Sequence, residues 1–202
     1  MELKFALKAF ISIFIIVDPL GLVPHFIGLT SGYSLERRKR TIRLAVITTI
    51  LVLIIFAIFG NHILQLFGIT IHAFRIAGGI IIFMVAIQML QVQRTRLKTT
   101  PEEEVYSHEQ EEIGVVPLGI PMLAGPGAIT TVIVLSGSNL WIIIASILIT
   151  ALLAYLILFQ AARVSNFLGP TGLNIFRRLM GLVLAAISVQ LVIDGIKATL
   201  VS

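Results

Sequence analysis

Ile16-Val17-Asp18-Pro19-Leu20-Gly21 lies inside an apolar run that extends from about residue 3 to residue 30, and it brings a charge and a helix breaker into that run. Proline has no N–H and its ring clashes with the carbonyl four residues back, so Pro19 releases the carbonyl of Ile15. Aspartate is a good N-cap and proline is favoured at the first helical position, so Asp18-Pro19 reads as the start of a new helix within the run. A second interruption, Gly125-Pro126-Gly127-Ala128, lines up with Asp18-Pro19-Leu20-Gly21, and Pro126 releases the carbonyl of Met122. Pro117, Gly119 and Pro121 weaken the stretch before it further.

The surroundings of these breaks are membranous. Of the 202 residues 57% are apolar and 12% charged, and the mean hydropathy is +1.04, whereas soluble domains carry about 25% charged residues. Crossing a hydrocarbon core of about 30 Å takes about 20 apolar residues. Six spans are predicted, at roughly 3–30, 41–60, 69–91, 115–137, 139–163 and 176–199. Lys4 and Lys8 precede the first of them without a small-residue cleavage site, so it reads as a span and not as a removed signal. Residues 93–114 form a hydrophilic loop with the acidic run Glu102, Glu103, Glu104, Glu109, Glu111 and Glu112.

A pI near 10.0 invites a nucleic-acid reading, but the basic residues flank apolar runs and form no separate basic domain, so no nucleic-acid partner is expected. The absence of cysteine excludes disulfides and thiolate chemistry. His25, His62, His72 and His108 have no ligand spacing, so no metal and no cofactor is expected.

The chain also resembles itself. Phe74-Arg75, Gly79 and Gln88 recur as Phe176-Arg177, Gly181 and Gln190 at a constant shift of 102, and Gly68 and Thr70 recur as Gly169 and Thr171 after a single gap. Because three spans separate equivalent positions, the second half must cross in the opposite sense. The expected fold is therefore an all-α membrane protein: a single domain over 1–202 with six transmembrane helices as two inverted three-helix repeats (1–92 and 115–202), helices 1 and 4 broken near the midplane. By rise, Asp18 lies about 22 Å from its entry face and Pro126 about 17 Å from the opposite one. Irregular backbone at that depth must be buried in protein or line a wet cavity, and half-helix N-termini there suit a carboxylate.

Candidate ligand-binding residues are Asp18, Pro19, Gly21, Gly125, Pro126, Gly127, Ala128, Thr130, Thr131, Gln88 and Gln190. Asp18 is a candidate for ion coupling because a carboxylate deep in a span is costly. It is equally an N-cap for Leu20 or Gly21. The glutamines suit bonds between helices, Thr130 and Thr131 suit back-bonding within one, and Arg75 and Arg177 suit snorkelling. Asp194 is placed near a span end, where water solvates it. An aspartyl hydrolase built on Asp18 and Asp194 is disfavoured, since rise separates them by roughly 15 Å in depth. The chain reads as a carrier and not as an enzyme.

Asp18-Pro19-Leu20-Gly21 through Pro24, together with Pro117-Leu118-Gly119-Ile120-Pro121 and Leu123 through Thr131, resembles the MarC family of bacterial and archaeal membrane proteins over essentially the whole chain. That family includes SnatA-type carriers of small neutral amino acids. The resemblance implies gradient-driven movement of glycine- or alanine-like amino acids in the cell (inner or plasma) membrane, coupled to H+ or Na+. Partners would be the amino acid, the lipid bilayer and a further copy in a homo-oligomer. Export of drugs or other metabolites, and a non-transporting channel or scaffold, remain open alternatives. The break asymmetry suits a zwitterion, with its carboxylate at Gly125–Ala128 and its ammonium, or a cation, at Asp18.

Eleven Lys and Arg on the loop-bearing face against four (Lys4, Lys8, Arg75 and Lys197) on the face of the termini put both termini outside the cytoplasm, although Lys4 and Lys8 argue locally for the reverse. A reporter fused at Ser202 is expected to be active outside the cytoplasm. Activity confined to the cytoplasm would reverse the topology.

Overall fold

The computed structural model describes residues 2–91 and 112–201. The acidic run, with Arg94, Arg96 and Lys98, lies outside the described residues apart from the turn at its end. Helices α1 (Glu2–Val17) and α2 (Pro19–Leu29) make one 28-residue span interrupted at Asp18. They are followed by α3 (Leu35–Leu66) and α4 (Ile71–Gln91). The second half begins with a single 3-10 turn, Glu112–Gly114, and an irregular π-helical coil, Val115–Leu123, in which Val116 and Ile120 are extended at φ −126° and −130°. Then come α5 (Pro126–Ser136), α6 (Leu140–Phe159) and α7 (Ala161–Val201). Among the described residues every element is helical, and five segments are long and apolar enough to cross a membrane. A sixth is the coil plus α5, bent by 53°.

Two boundaries differ from the hydropathy reading. Helix α3 starts at Leu35, before the expected 41, with Ser34 accepting from the Arg37 N–H at 3.3 Å. Its first turns hold Glu36, Arg37, Arg38, Lys39 and Arg40, which are too polar for hydrocarbon but are good helix formers. Helix α7 begins at Ala161 and not at 176, and is broken at Gly169, whose φ of 62° is open to glycine at little cost. Its repeat counterpart Gly68 also has positive φ, 67°, just before α4. Hydropathy marks what lies in lipid, whereas backbone bonding carries a helix past that boundary.

Apolar side chains have little reason to prefer one another over lipid tails, so small residues and close backbone approach drive helix association. Helices α4 and α7 show this reciprocally. A Cβ on Gly79 would lie 2.9 Å from the Ser188 carbonyl and 2.7 Å from Val192, and a Cβ on Gly181 would lie 3.2 Å from the Ala86 carbonyl and 3.3 Å from Leu90. Ala86 and Leu90 are shifted by 102 from Ser188 and Val192, so the two contacts exchange under the repeat. Gly195 against the His72 carbonyl continues the antiparallel register. The turn and the coil lean on α3 in the same way, Gly114 against the Thr41 carbonyl and Gly119 against Thr48.

Several hydroxyls buried among the helices are satisfied locally: Thr41, Thr49 and Ser146 donate to the carbonyls of Arg37, Ala45 and Ile142, whereas the buried Thr150 hydroxyl has no hydrogen bond among the described residues. Leu51, Ile55 and Leu152 stand exposed on the outer surface, as lipid requires.

Gly79→Val and Gly181→Val are each expected to destabilise the fold by about 1–3 kcal/mol through overpacking, read as a lowered melting temperature in detergent. Gly137→Ala, whose added Cβ meets nothing within 4 Å, should leave it unchanged.

Candidate functional site

Asp18 is the sole non-glycine residue of positive φ among the described residues, at φ 46° and ψ 56°. Aspartate tolerates this left-handed conformation better than most residues, because its short side chain bonds to nearby backbone. Its Oδ1 accepts from the Gly21 N–H at 3.0 Å, which makes it the N-cap of α2, while the Asp18 N–H still donates to Phe14 at 3.1 Å. The carboxylate folds directly over Gly21, where a Cβ would overlap Asp18 Oδ2. The cap therefore specifies glycine at 21 by space alone.

The second carboxylate oxygen faces Arg177. Arg177 Nε lies 3.8 Å from Asp18 Oδ2, with 30% and 16% of the two side chains exposed. That separation gives Coulomb attraction but no hydrogen bond. Among the described residues, neither the buried Arg177 Nε nor the buried His25 Nδ1 has a hydrogen-bond partner. The groups meet at a cavity of about 330 Å³ lined by Asp18, Gly21, Leu22 and His25 of the first span, Val85, Gln88 and Met89 of α4, Pro121 and Met122 of the coil, and Arg177 of α7. Both halves of the chain thus contribute. Burying polar nitrogens without partners costs about 1–3 kcal/mol each, so unpartnered groups around a cavity that also holds a carboxylate mark a place where a polar ligand is stabilised.

The remaining expected residues divide. Pro19 is buried at the start of α2. Gly125, Pro126, Gly127 and Ala128 do not line this cavity. Gly127 instead packs against Ile16, with 2.8 Å from its Cβ position to Ile16 Cδ1, so the two interruptions abut through apolar contact. Thr130 packs its methyl group onto Gly78, and the Thr131 hydroxyl donates to the Gly127 carbonyl at 2.8 Å. Thr131 and Gln190 line a separate cavity of about 250 Å³ with Lys8, Ser12 and Asp194, and Gln190 donates to Asp194 Oδ1 at 2.7 Å within α7. Asp18 and Asp194 share no cavity.

Two ionisable residues of the Asp18 cavity, His25 and Arg177, were not among the expected ligand-binding residues. His25 follows Asp18 by two helical turns on the face that carries Gly21 and Leu22, a spacing present in the sequence. Arg177 carried no such signal, because its approach to Asp18 joins the first span to the last.

A profile of the MarC family, described as "MarC family integral membrane protein", matches residues 3–200. The chain is 42% identical over 199 residues to a UPF0056 membrane protein of Methanocaldococcus jannaschii, covering 96% of this chain and 87% of that one. It is 38% identical over 203 residues to the UPF0056 membrane protein YvbG of Bacillus subtilis (98% and 96% covered) and 37% identical over 195 residues to YhcE of Escherichia coli (94% and 91%). No solved structure matches the chain.

Gly21→Ala is expected to displace the Asp18 cap and lower stability by about 1–2 kcal/mol, read by thermal unfolding in detergent. Gly28→Ala, on the same helix with nothing within 4 Å of its added Cβ, is the matched control and should be neutral or slightly stabilising.

Proposed function

The chain belongs to the MarC family of integral membrane proteins, and from that premise we propose that it is a secondary transporter of small neutral amino acids. The observation that carries this reading is the Asp18–Arg177 pair at a cavity whose buried Arg177 Nε and His25 Nδ1 lack hydrogen bonds. A carboxylate and a guanidinium held near each other, without a hydrogen bond between them, present opposite charges to the two ends of a zwitterion. Arg177 takes the carboxylate in place of the Gly125–Ala128 turn, because those residues line no part of the cavity, and Asp18 takes the ammonium or the coupling cation, H+ or Na+. A volume of about 330 Å³ is at the lower end of the usual 300–1,000 Å³ for small-molecule sites and favours glycine- or alanine-sized ligands.

The transport cycle rests on an inverted pair of three-helix halves with their first helices broken inside the membrane, rocking about the α4–α7 seam to give alternating access. The reciprocal glycine contacts at a shift of 102, and the positive φ at both Gly68 and Gly169, support that arrangement. The chain acts as a carrier and carries out no bond chemistry.

The test is uptake of labelled glycine into proteoliposomes under an imposed H+ or Na+ gradient. A charged hydrogen bond is worth about 1.5–3 kcal/mol, so Asp18→Ala and Arg177→Gln should each weaken uptake about 10- to 100-fold at limiting glycine. Unchanged uptake in both variants would remove this cavity from the mechanism. Counterflow driven by drugs or other metabolites and not by amino acids would establish an exporter instead.

A further inference from the structure

The second cavity has walls that repeat those of the first. Val85, Gln88 and Met89 of α4 line the Asp18 cavity, and their counterparts at a shift of 102, Ile187, Gln190 and Leu191 of α7, line the other. The charges do not follow the repeat, yet the same combination recurs: a glutamine, a carboxylate and a cation on an otherwise apolar surface. In the first cavity the first span supplies the acid, Asp18, and α7 the base, Arg177; in the second, α1 supplies the base, Lys8, and α7 the acid, Asp194.

No ion pair joins Lys8 to Asp194, so both charges border the space without neutralising each other directly. Gln190 donates to Asp194 Oδ1 at 2.7 Å, and among the described residues no side chain bonds its other oxygen. The cavities lie toward opposite faces, since Arg177 and Asp194 are separated by about 25 Å of helix rise and Lys8 and Asp18 by about 15 Å. Between them α1 and α5 meet through Ile16 and Gly127, an apolar contact that a zwitterion does not cross unaided.

We propose that the cavity between Lys8 and Asp194 is a second binding site for the same small zwitterion, at the opposite end of the path from the Asp18 cavity. The proposal rests on the transporter reading. Its volume of about 250 Å³ again fits a ligand of few heavy atoms. Because acid and base have changed helices, a bound amino acid turns its ammonium toward the first span in one site and toward α7 in the other. A ligand passing between them reverses end for end relative to α7.

The chain has no cysteine, so single cysteines report alone. Val85→Cys marks the Asp18 cavity and Ala186→Cys the second one. Full-length protein in lipid nanodiscs, where both faces are accessible, is labelled with a maleimide with and without glycine. At glycine ten times the apparent dissociation constant, labelling at both positions should slow about tenfold. Asp18→Asn should leave the protection at Ala186→Cys in place. Asp194→Asn should remove that protection while protection at Val85→Cys persists, and Lys8→Gln, at an exposed position, should do the same if Asp194→Asn does not fold. Protection at Val85→Cys alone, or loss of protection at Ala186→Cys in Asp18→Asn, would overturn the second site and leave the first standing. Absence of protection at both positions would overturn the transporter reading too.

Discussion

Backbone polar groups in hydrocarbon have no water to bond, and that constraint governs how this chain interrupts its helices. Pro19 removes one N–H from the first span, and the chain answers with a single left-handed residue whose own side chain accepts from the Gly21 N–H. The Asp18 N–H and carbonyl remain bonded to Phe14 and Leu22, so the interruption leaves little of the main chain unsatisfied. The second interruption is handled differently. Gly125 offers no side chain as a cap, and the preceding coil is held by the Ala124 N–H to the Gly119 carbonyl at 2.9 Å and by Gly114 and Gly119 of the turn and coil against α3. One break is thus repaired from within its own helix and the other by its neighbours.

That difference places charge. A carboxylate repairing the first break stands at the edge of a cavity, where it attracts a cationic partner from whichever helix is nearest. That helix is α7, which packs on α4 through the glycine seam and presents Arg177 to Asp18. The seam and the ion pair are therefore linked: close packing without side chains at Gly79 and Gly181 allows a guanidinium from the last helix to face an aspartate from the first. Both cavities draw one charge from the first span and one from α7, so relative movement of these elements alters both.

Much of this was legible in one dimension. Hydropathy located the spans, and the proline and aspartate marked the interruption at 18 together with its capping residue. The shift of 102 anticipated which glycines of α4 and α7 would correspond. The ends of α3 and α7 were not legible, because charged helix formers at 35–40 and the polar stretch after Ala161 carry no apolar signal while still bonding as helix. The grouping of the candidate residues was legible only in part. Asp18, Gly21 and Gln88 converge on one cavity, whereas Thr131 and Gln190 belong to another and Gly125–Ala128 line neither.

By itself the sequence determined a helical membrane protein, a capping aspartate ahead of Pro19 with Leu20 or Gly21 as its partner, and the family to which the chain belongs. These are consequences of local chemistry: backbone bonding, transfer to hydrocarbon, and spacing along one helix. Tertiary structure alone decided that Arg177 faces Asp18, that Gln88 of α4 shares their cavity, and that the second break packs as an apolar contact on Ile16. Those pairings join residues far apart in the chain, and which side chains meet depends on how closely glycine lets the helices approach.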